Sequence, residues 1–293
     1  MSTFSYQPMK KLILLAALFP LPIHAALVEM WQFNDVPLGV VSTGTTSLGV
    51  NGGIATIKGA GVNSVATGSQ GIRGIDLPGG SSTTQGYIDL PNGLISTLTD
   101  ATFEAWLTID SIQNWQRVFD FGTNTNGEQT GVGGTGVGSD VTMLAANRAT
   151  TANTQRMQAL DGGVDMGAND STVTLSLGVK HHFSLVWDNV GPSSSQQAWY
   201  LDGNLVASQT TGLNMGLNNI TDVNNWLGRS NWAVDSNTDG TYDQFAIYNT
   251  AFTPAEVAAS FAAGPVPEPT SFVMLGSGFF ALIARRRRVE KAA

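Results

Sequence analysis

Thr102-Phe103-Glu104-Ala105-Trp106-Leu107, followed by Trp115-Gln116-Arg117-Val118-Phe119-Asp120-Phe121-Gly122, is the stretch on which the fold is decided. Both runs are short, rich in the aromatic and β-branched residues that suit a pleated, half-buried surface, and bounded by turn residues. Working outward, Glu29-Met30-Trp31-Gln32-Phe33 alternates as a first strand should, and Tyr87–Leu90, His182–Trp187, Gln197–Leu201 and Tyr242–Tyr248 read the same way. Asp202-Gly203, between Ala198-Trp199-Tyr200-Leu201 and Leu205-Val206-Ala207, signals a tight hairpin, and Asp239-Gly240 before Tyr242 reads as a second turn. Residues 39–84 are rich in Gly, Ser and Thr and show no clear strand limits. One helix is expected, Thr253 to Ala262, with Thr253 as N-cap, Pro254 at the first helical position, Glu256 completing a capping box, and Gly264 at the end. The pattern is that of an all-β sandwich.

Composition narrows the chemistry. The 293 residues contain 7 Trp, 13 Phe and no Cys, so the core rests on packing, and thiol catalysis and Cys-based zinc sites are excluded. The net charge of −8 conceals an asymmetry. Between residues 26 and 264 stand seven basic and 20 acidic residues, while Lys10, Lys11, Lys291 and four tail arginines lie in the ends. A body that acidic repels nucleic acid and anionic lipid, so no nucleic-acid partner is expected. Neutral glycans, cationic partners and Ca²⁺ remain compatible with it.

The ends read as addresses. Lys10-Lys11, the apolar run Leu12–Leu21 and Ile23-His24-Ala25 form a secretion signal with cleavage after Ala25, and Met9 fits as its start. The other end holds Pro267-Glu268-Pro269, an apolar helix-compatible segment from Phe272 to Ala284, and Arg285, Arg286, Arg287 and Arg288. The prolines break any preceding helix, and the arginines stay on the cytoplasmic side of a membrane. Three parts follow: a signal peptide at 1–25, the folded body at 26–264 and a hydrophobic sorting helix within 265–293. Motif, apolar segment and arginine cluster, in that order, resemble the PEP-CTERM sorting signal of Gram-negative bacteria. The resemblance implies processing by an exosortase, a membrane protease, with transient anchoring in the inner membrane before delivery to the cell surface or beyond. The same kind of tail also carries an ice-binding protein C-terminal label. That label concerns the tail, and Thr43–Thr46 lacks the sustained T-x-T array that an ice-binding face needs.

The body resembles LamG-like domains of the concanavalin A-like jelly-roll superfamily. The opening stretch is similar to their central strands. His181-His182-Phe183-Ser184-Leu185-Val186 resembles a further strand, with Lys180 where Trp is usual, and Tyr200-Leu201-Asp202-Gly203 resembles the hairpin. Asn225-Trp226-Leu227-Gly228-Arg229-Ser230 and Asp243–Asn249 resemble the closing strands. The resemblance runs from about residue 86 to 262, more faintly from 27. It implies a structural Ca²⁺ where first and last strands meet, with Asp35 and Asp243 at the matching positions.

Catalysis finds little support in the residues. Glycan hydrolysis needs two carboxylates flanking the scissile bond, and Glu104 stands on its strand with Trp106 and Thr108, its nearest carboxylate in sequence being Asp100 and Asp110 lying only at the strand end. No G-x-S-x-G, H-E-x-x-H or phosphate loop is present. His181 and His182 face opposite sides of a strand, which is poor geometry for one metal. Asp235-Ser236-Asn237-Thr238-Asp239-Gly240 begins like an EF-hand loop but has Ala246 where the bidentate Glu belongs. For sugar recognition the candidates are Trp115, Trp226, Arg229, Asn231 and Trp232, since aromatic faces stack on sugar C–H groups while amides and guanidinium bind hydroxyls. The expected function is a non-catalytic surface or matrix protein whose partners are extracellular polysaccharide or protein. The alternatives are a carbohydrate-active enzyme built on Glu104, or a purely structural envelope protein.

Overall fold

Residues 26–68, 72–149, 153–191, 194–212 and 216–265 are described by a computed structural model. The signal segment and the sorting residues Pro267, Glu268, Pro269 and Arg285 to Arg288 lie outside them. Among the described residues seventeen strands and one α-helix follow in order, with a single 3-10 turn at Leu217–Asn219 before the sixteenth strand. They are β1 (Leu27–Trp31), β2 (Gly39–Val40), β3 (Thr46–Leu48), β4 (Ile54–Lys58), β5 (Asn63–Ala66), β6 (Arg73–Ser81), β7 (Tyr87–Leu90), β8 (Ala101–Ile109) and β9 (Arg117–Asn124). Then come β10 (Gly138–Ala145), β11 (Thr154–Asp161), β12 (Val164–Thr172), β13 (Lys180–Gly191), β14 (Ser194–Leu201), β15 (Asn204–Thr210), β16 (Asn224–Leu227), β17 (Ser236–Tyr248) and α1 (Pro254–Ala263).

Two antiparallel sheets pack face to face, as in a jelly-roll sandwich. The first runs β15-β14-β13-β8-β17-β6-β5-β2, with β1 also on β17; the second runs β12-β11-β10-β9-β16-β7-β4-β3. The opening stretch supplies a central strand to each. β8 lies in the first sheet and β9 in the second, and their inward side chains meet across the gap. The Phe103 ring lies 5.0 Å from Phe119 and 5.8 Å from Phe121, and Phe245 of β17 closes the cluster. All four rings are essentially inaccessible to water, so their burial is a main source of stability.

The Asp202-Gly203 hairpin forms as read. Both residues have positive φ, 50° and 76°, which the right-handed twist of the flanking strands requires. The helix also forms, with its capping box complete. The second turn is corrected. Asp239-Gly240 lies inside β17, a continuous 13-residue strand. Its first half pairs with β6 and its second with β1, while β8 runs along most of its other side. Gly240 marks a close approach rather than a turn, because a Cβ there would fall 2.2 Å from the Thr108 carbonyl oxygen.

Candidate functional site

Arg117 organises one end of the second sheet. It opens β9, just after Trp115, whose backbone adopts a φ of 55°, a conformation uncommon for a bulky side chain. That bend lets the Trp115 carbonyl accept from Arg117 Nη1 at 2.8 Å. The other partners are Asp120, on β9 itself, and two residues of the loop between β16 and β17. Arg117 donates through Nε to Asp120 at 3.0 Å, and through Nη2 to Ser230 at 2.8 Å and Asp235 at 2.9 Å. Asp120 also accepts from the backbone and side-chain nitrogens of Asn231. The guanidinium is only 1 % exposed. Burial, reinforced by the nearby Asp120 charge, raises the Asp235 pKa, and Arg117 and Ser230 pull it back.

Two indole rings flank this ion cluster. The Arg117 guanidinium lies 5.5 Å from the Trp115 ring centre and 5.4 Å from that of Trp232, within cation–π range. Between them opens a pocket of about 320 Å³ whose remaining wall comes from Arg156, Gln158, Val234 and Asp235. Arg156 and Arg148 also lie over Trp115. Three of the body's seven cations thus converge on one ring, yet each is already paired: Arg117 with Asp120 and Asp235, and Arg148 and Arg156 with Asp170. The site is charge-balanced, aromatic-walled and supplied with ordered polar groups. A larger depression, about 790 Å³, lies between β12 and β15, but no aromatic ring lines it.

Of the five residues expected to touch sugar, only Trp115 and Trp232 line this pocket. Trp226 and Arg229, each 1 % exposed, are buried in a separate stack. The Arg229 guanidinium sits 4.2 Å from the Trp226 ring and 4.5 Å from Tyr87, and donates to the Gly131 carbonyl at 2.8 Å. The Trp226 indole donates to Asp89, whose pKa burial raises. Burial likewise pushes the Tyr87 phenol up to about 12, so it stays protonated. Asn231 is fully buried, bridging Asp120 and Asn224. These three side chains lack a surface for a ligand; they tie the 131 and 231 loops to the sheet. Arg117, Arg156 and Asp235 were not read as site residues. Asp235 was visible only as the head of an EF-hand-like string, and nothing local to Arg156 marks it.

The two carboxylates expected to share Ca²⁺ have separate partners. Asp35 accepts from the Ser47 hydroxyl at 2.6 Å and the Leu48 amide at 2.7 Å. Asp243, 3 % exposed, has the Lys180 ammonium 2.8 Å from its Oδ1, and burial raises its pKa against that pull. Lys180 thus supplies a positive charge beside Asp243, and the partners given for Asp35 are different groups. Among the described residues, no group of three or more His, Asp or Glu side chains forms a metal-binding cluster. Millimolar Ca²⁺ is accordingly expected to leave the melting temperature unchanged. A ligand that binds only the folded chain must raise it, so a Ca²⁺-dependent rise in a thermal scan would contradict this reading of Asp35 and Asp243.

Comparison with known proteins adds the following. The family described as the concanavalin A-like lectin/glucanases superfamily matches residues 81–258, and the PEP-CTERM protein-sorting motif matches residues 265–288. Among solved structures, domain 4 of AbnA, a GH43 extracellular arabinanase from Geobacillus stearothermophilus in complex with arabinotriose, is 18% identical, with a TM-score of 0.53 over 80% of this chain and 98% of that one. The Ruminococcus gnavus IT-sialidase CBM40 bound to α2,3-sialyllactose is 19% identical, with a TM-score of 0.50 over 64% and 95%. At these identities the likeness is one of fold. A search of curated proteins finds no match. No helix among the described residues is long and apolar enough to cross a membrane.

Proposed function

The chain belongs to the concanavalin A-like lectin/glucanases superfamily, and from that premise we propose that its body is a non-catalytic module that binds neutral polysaccharide outside the cell. The PEP-CTERM motif marks the chain as an exported, sorted protein. The finer course, in our reading, is exosortase processing at Pro267-Glu268-Pro269 after transient anchoring in the inner membrane, followed by residence at the cell surface or in the matrix.

The observation that carries the reading is the pocket between Trp115 and Trp232. Two indoles offer faces for the C–H side of a sugar ring, while Gln158, Arg156 and Asp235 offer hydrogen bonds to its hydroxyls. Neutral sugar is favoured because the nearby guanidiniums are spent on Asp120, Asp170 and Asp235, and because the surrounding body is strongly acidic. A non-catalytic role is favoured because the pocket carboxylate Asp235 is ion-paired with Arg117, and because Glu104 is 2 % exposed beneath α1. Neither is free to protonate or attack a glycosidic bond in the two-carboxylate manner.

Trp232→Ala removes one wall without touching the Arg117 ion pairs. It is expected to weaken binding of neutral oligosaccharides at least tenfold, as loss of a central aromatic anchor does in other interfaces. Titration calorimetry against arabino-, xylo- and cello-oligosaccharides checks this. Unchanged affinity in the folded variant, or preference for uronate chains in the parent, would overturn the assignment.

A further inference from the structure

The outer face of the first sheet is divided in two beneath α1. Under the start of the helix it is apolar, where Val257 packs against Val186 and Tyr200 with Ala251 and Phe252 alongside. Under the end of the helix it is polar. Glu104 and Trp106 of β8 stand beside His182 and Ser184 of β13, with Trp106 opposite His182 and Glu104 opposite Ser184 in the ladder. Glu104, His182 and Ser184 are 2 %, 0 % and 0 % exposed. The His182 Nε2 lies 3.2 Å from Glu104 Oε1, yet among the described residues His182 Nδ1 and Ser184 Oγ have no hydrogen-bond partner. A surface meant only to seat a helix gains nothing from such groups, because unsatisfied buried polar atoms are costly.

The helix covers these groups in a telling way. Ser260 donates its hydroxyl to Glu104 Oε2 at 2.8 Å. The Phe261 ring lies nearly parallel to Trp106, 6.0 Å away and inclined by 18°, and stacks on His182 at 6.1 Å. One hydroxyl on a carboxylate and one flat apolar face on an indole are the two contacts that a sugar ring makes with a protein. Among the helix residues only Val257 is buried, and Phe261 remains 37% exposed. A helix this short has little stability of its own and depends on its cap and its docking. It is also the last element before the residues that match the sorting motif.

We infer that Glu104, Trp106, His182 and Ser184 form a second saccharide subsite, for a neutral sugar with free hydroxyls, and that the end of α1 occupies it as an internal stand-in for the ligand. The subsite lies on the opposite sheet from the Trp115–Trp232 pocket and does not depend on it.

The test uses the full chain and neutral trisaccharides: arabinotriose, xylotriose and cellotriose. Ser260→Ala with Phe261→Asp removes both mimicking contacts and leaves Val257 and the capping box in place. The number of saccharide equivalents bound is expected to rise by one over the parent, and adding Trp106→Ala is expected to remove that increment. The increment is counted against whatever the parent binds, so it stands or falls separately from the first pocket. Ser260→Ala alone is mild enough to keep the fold, and with 5-fluorotryptophan in the chain the Trp106 resonance is expected to move on adding saccharide. If no increment appears in the folded double variant, or the Trp106 resonance stays fixed in the Ser260→Ala chain at saturating trisaccharide, the inference is overturned.

Discussion

Replacing Arg117 by alanine is expected to lower the free energy of unfolding by about 3–5 kcal/mol, as removal of one partner from a buried ion pair does. The guanidinium holds Asp120 and Asp235, which are 0 % and 6 % exposed, and hydrogen-bonds Ser230 and the Trp115 carbonyl as well. Without it two buried carboxylates lose their counter-charge in a site where burial already disfavours ionised Asp235. The single variant therefore costs more than the pairs contribute, because the loss is dominated by stranded charge. Adding Asp120→Asn and Asp235→Asn to Arg117→Ala should recover much of the deficit. Urea denaturation of the three proteins checks this. A deficit below about 1 kcal/mol for Arg117→Ala, the range of an exposed pair, would show that the cluster is solvated and that the pocket floor is not preorganised.

The second large effect belongs to the aromatic seam. Phe121→Ala is expected to cost about 3–5 kcal/mol, the range for removing a buried phenylalanine and leaving a cavity. Phe121 is fully buried and touches Phe103, Phe119 and Phe245, so its loss affects both sheets at once. Replacement by Leu should cost far less, because much of the volume is kept. Equal losses for Ala and Leu would mean that ring geometry, and not filled volume, holds the sheets together.

These two sites also show what a single sequence reveals. The strands through Phe103 and Phe119 were legible because burial on one face leaves an apolar alternation that local pattern reading detects. The Asp202-Gly203 hairpin and the capped helix were legible because backbone chemistry at turns and helix starts is local. Strands β10 to β12 were not. β12 carries Asp165, Asn169 and Asp170 on an exposed sheet edge, and none of its residues is buried. Asp239-Gly240 misled because glycine serves both turns and close approaches, and only the neighbouring Thr108 backbone distinguishes them.

The site was legible in part for a related reason. Trp115 and Trp232 were visible as aromatics near strand ends. What brings them together is Arg117, whose partners Ser230 and Asp235 lie more than 100 residues away. Trp226, Arg229 and Asn231 carry the same side-chain chemistry, yet packing turns them into supports for the loops. Residue type proposes a ligand contact; exposure decides it.

The account rests on the claim that saccharide enters between Trp115 and Trp232. With all seven tryptophans carrying 5-fluorine and their resonances assigned by single Trp→Phe variants, titration with neutral oligosaccharide reads each ring separately by ¹⁹F NMR. The account predicts saturable shifts at Trp115 and Trp232 in the parent chain, with Trp31, Trp187, Trp199 and Trp226 unmoved. Silence at both rings up to saturating oligosaccharide, or shifts confined to other tryptophans, would contradict it.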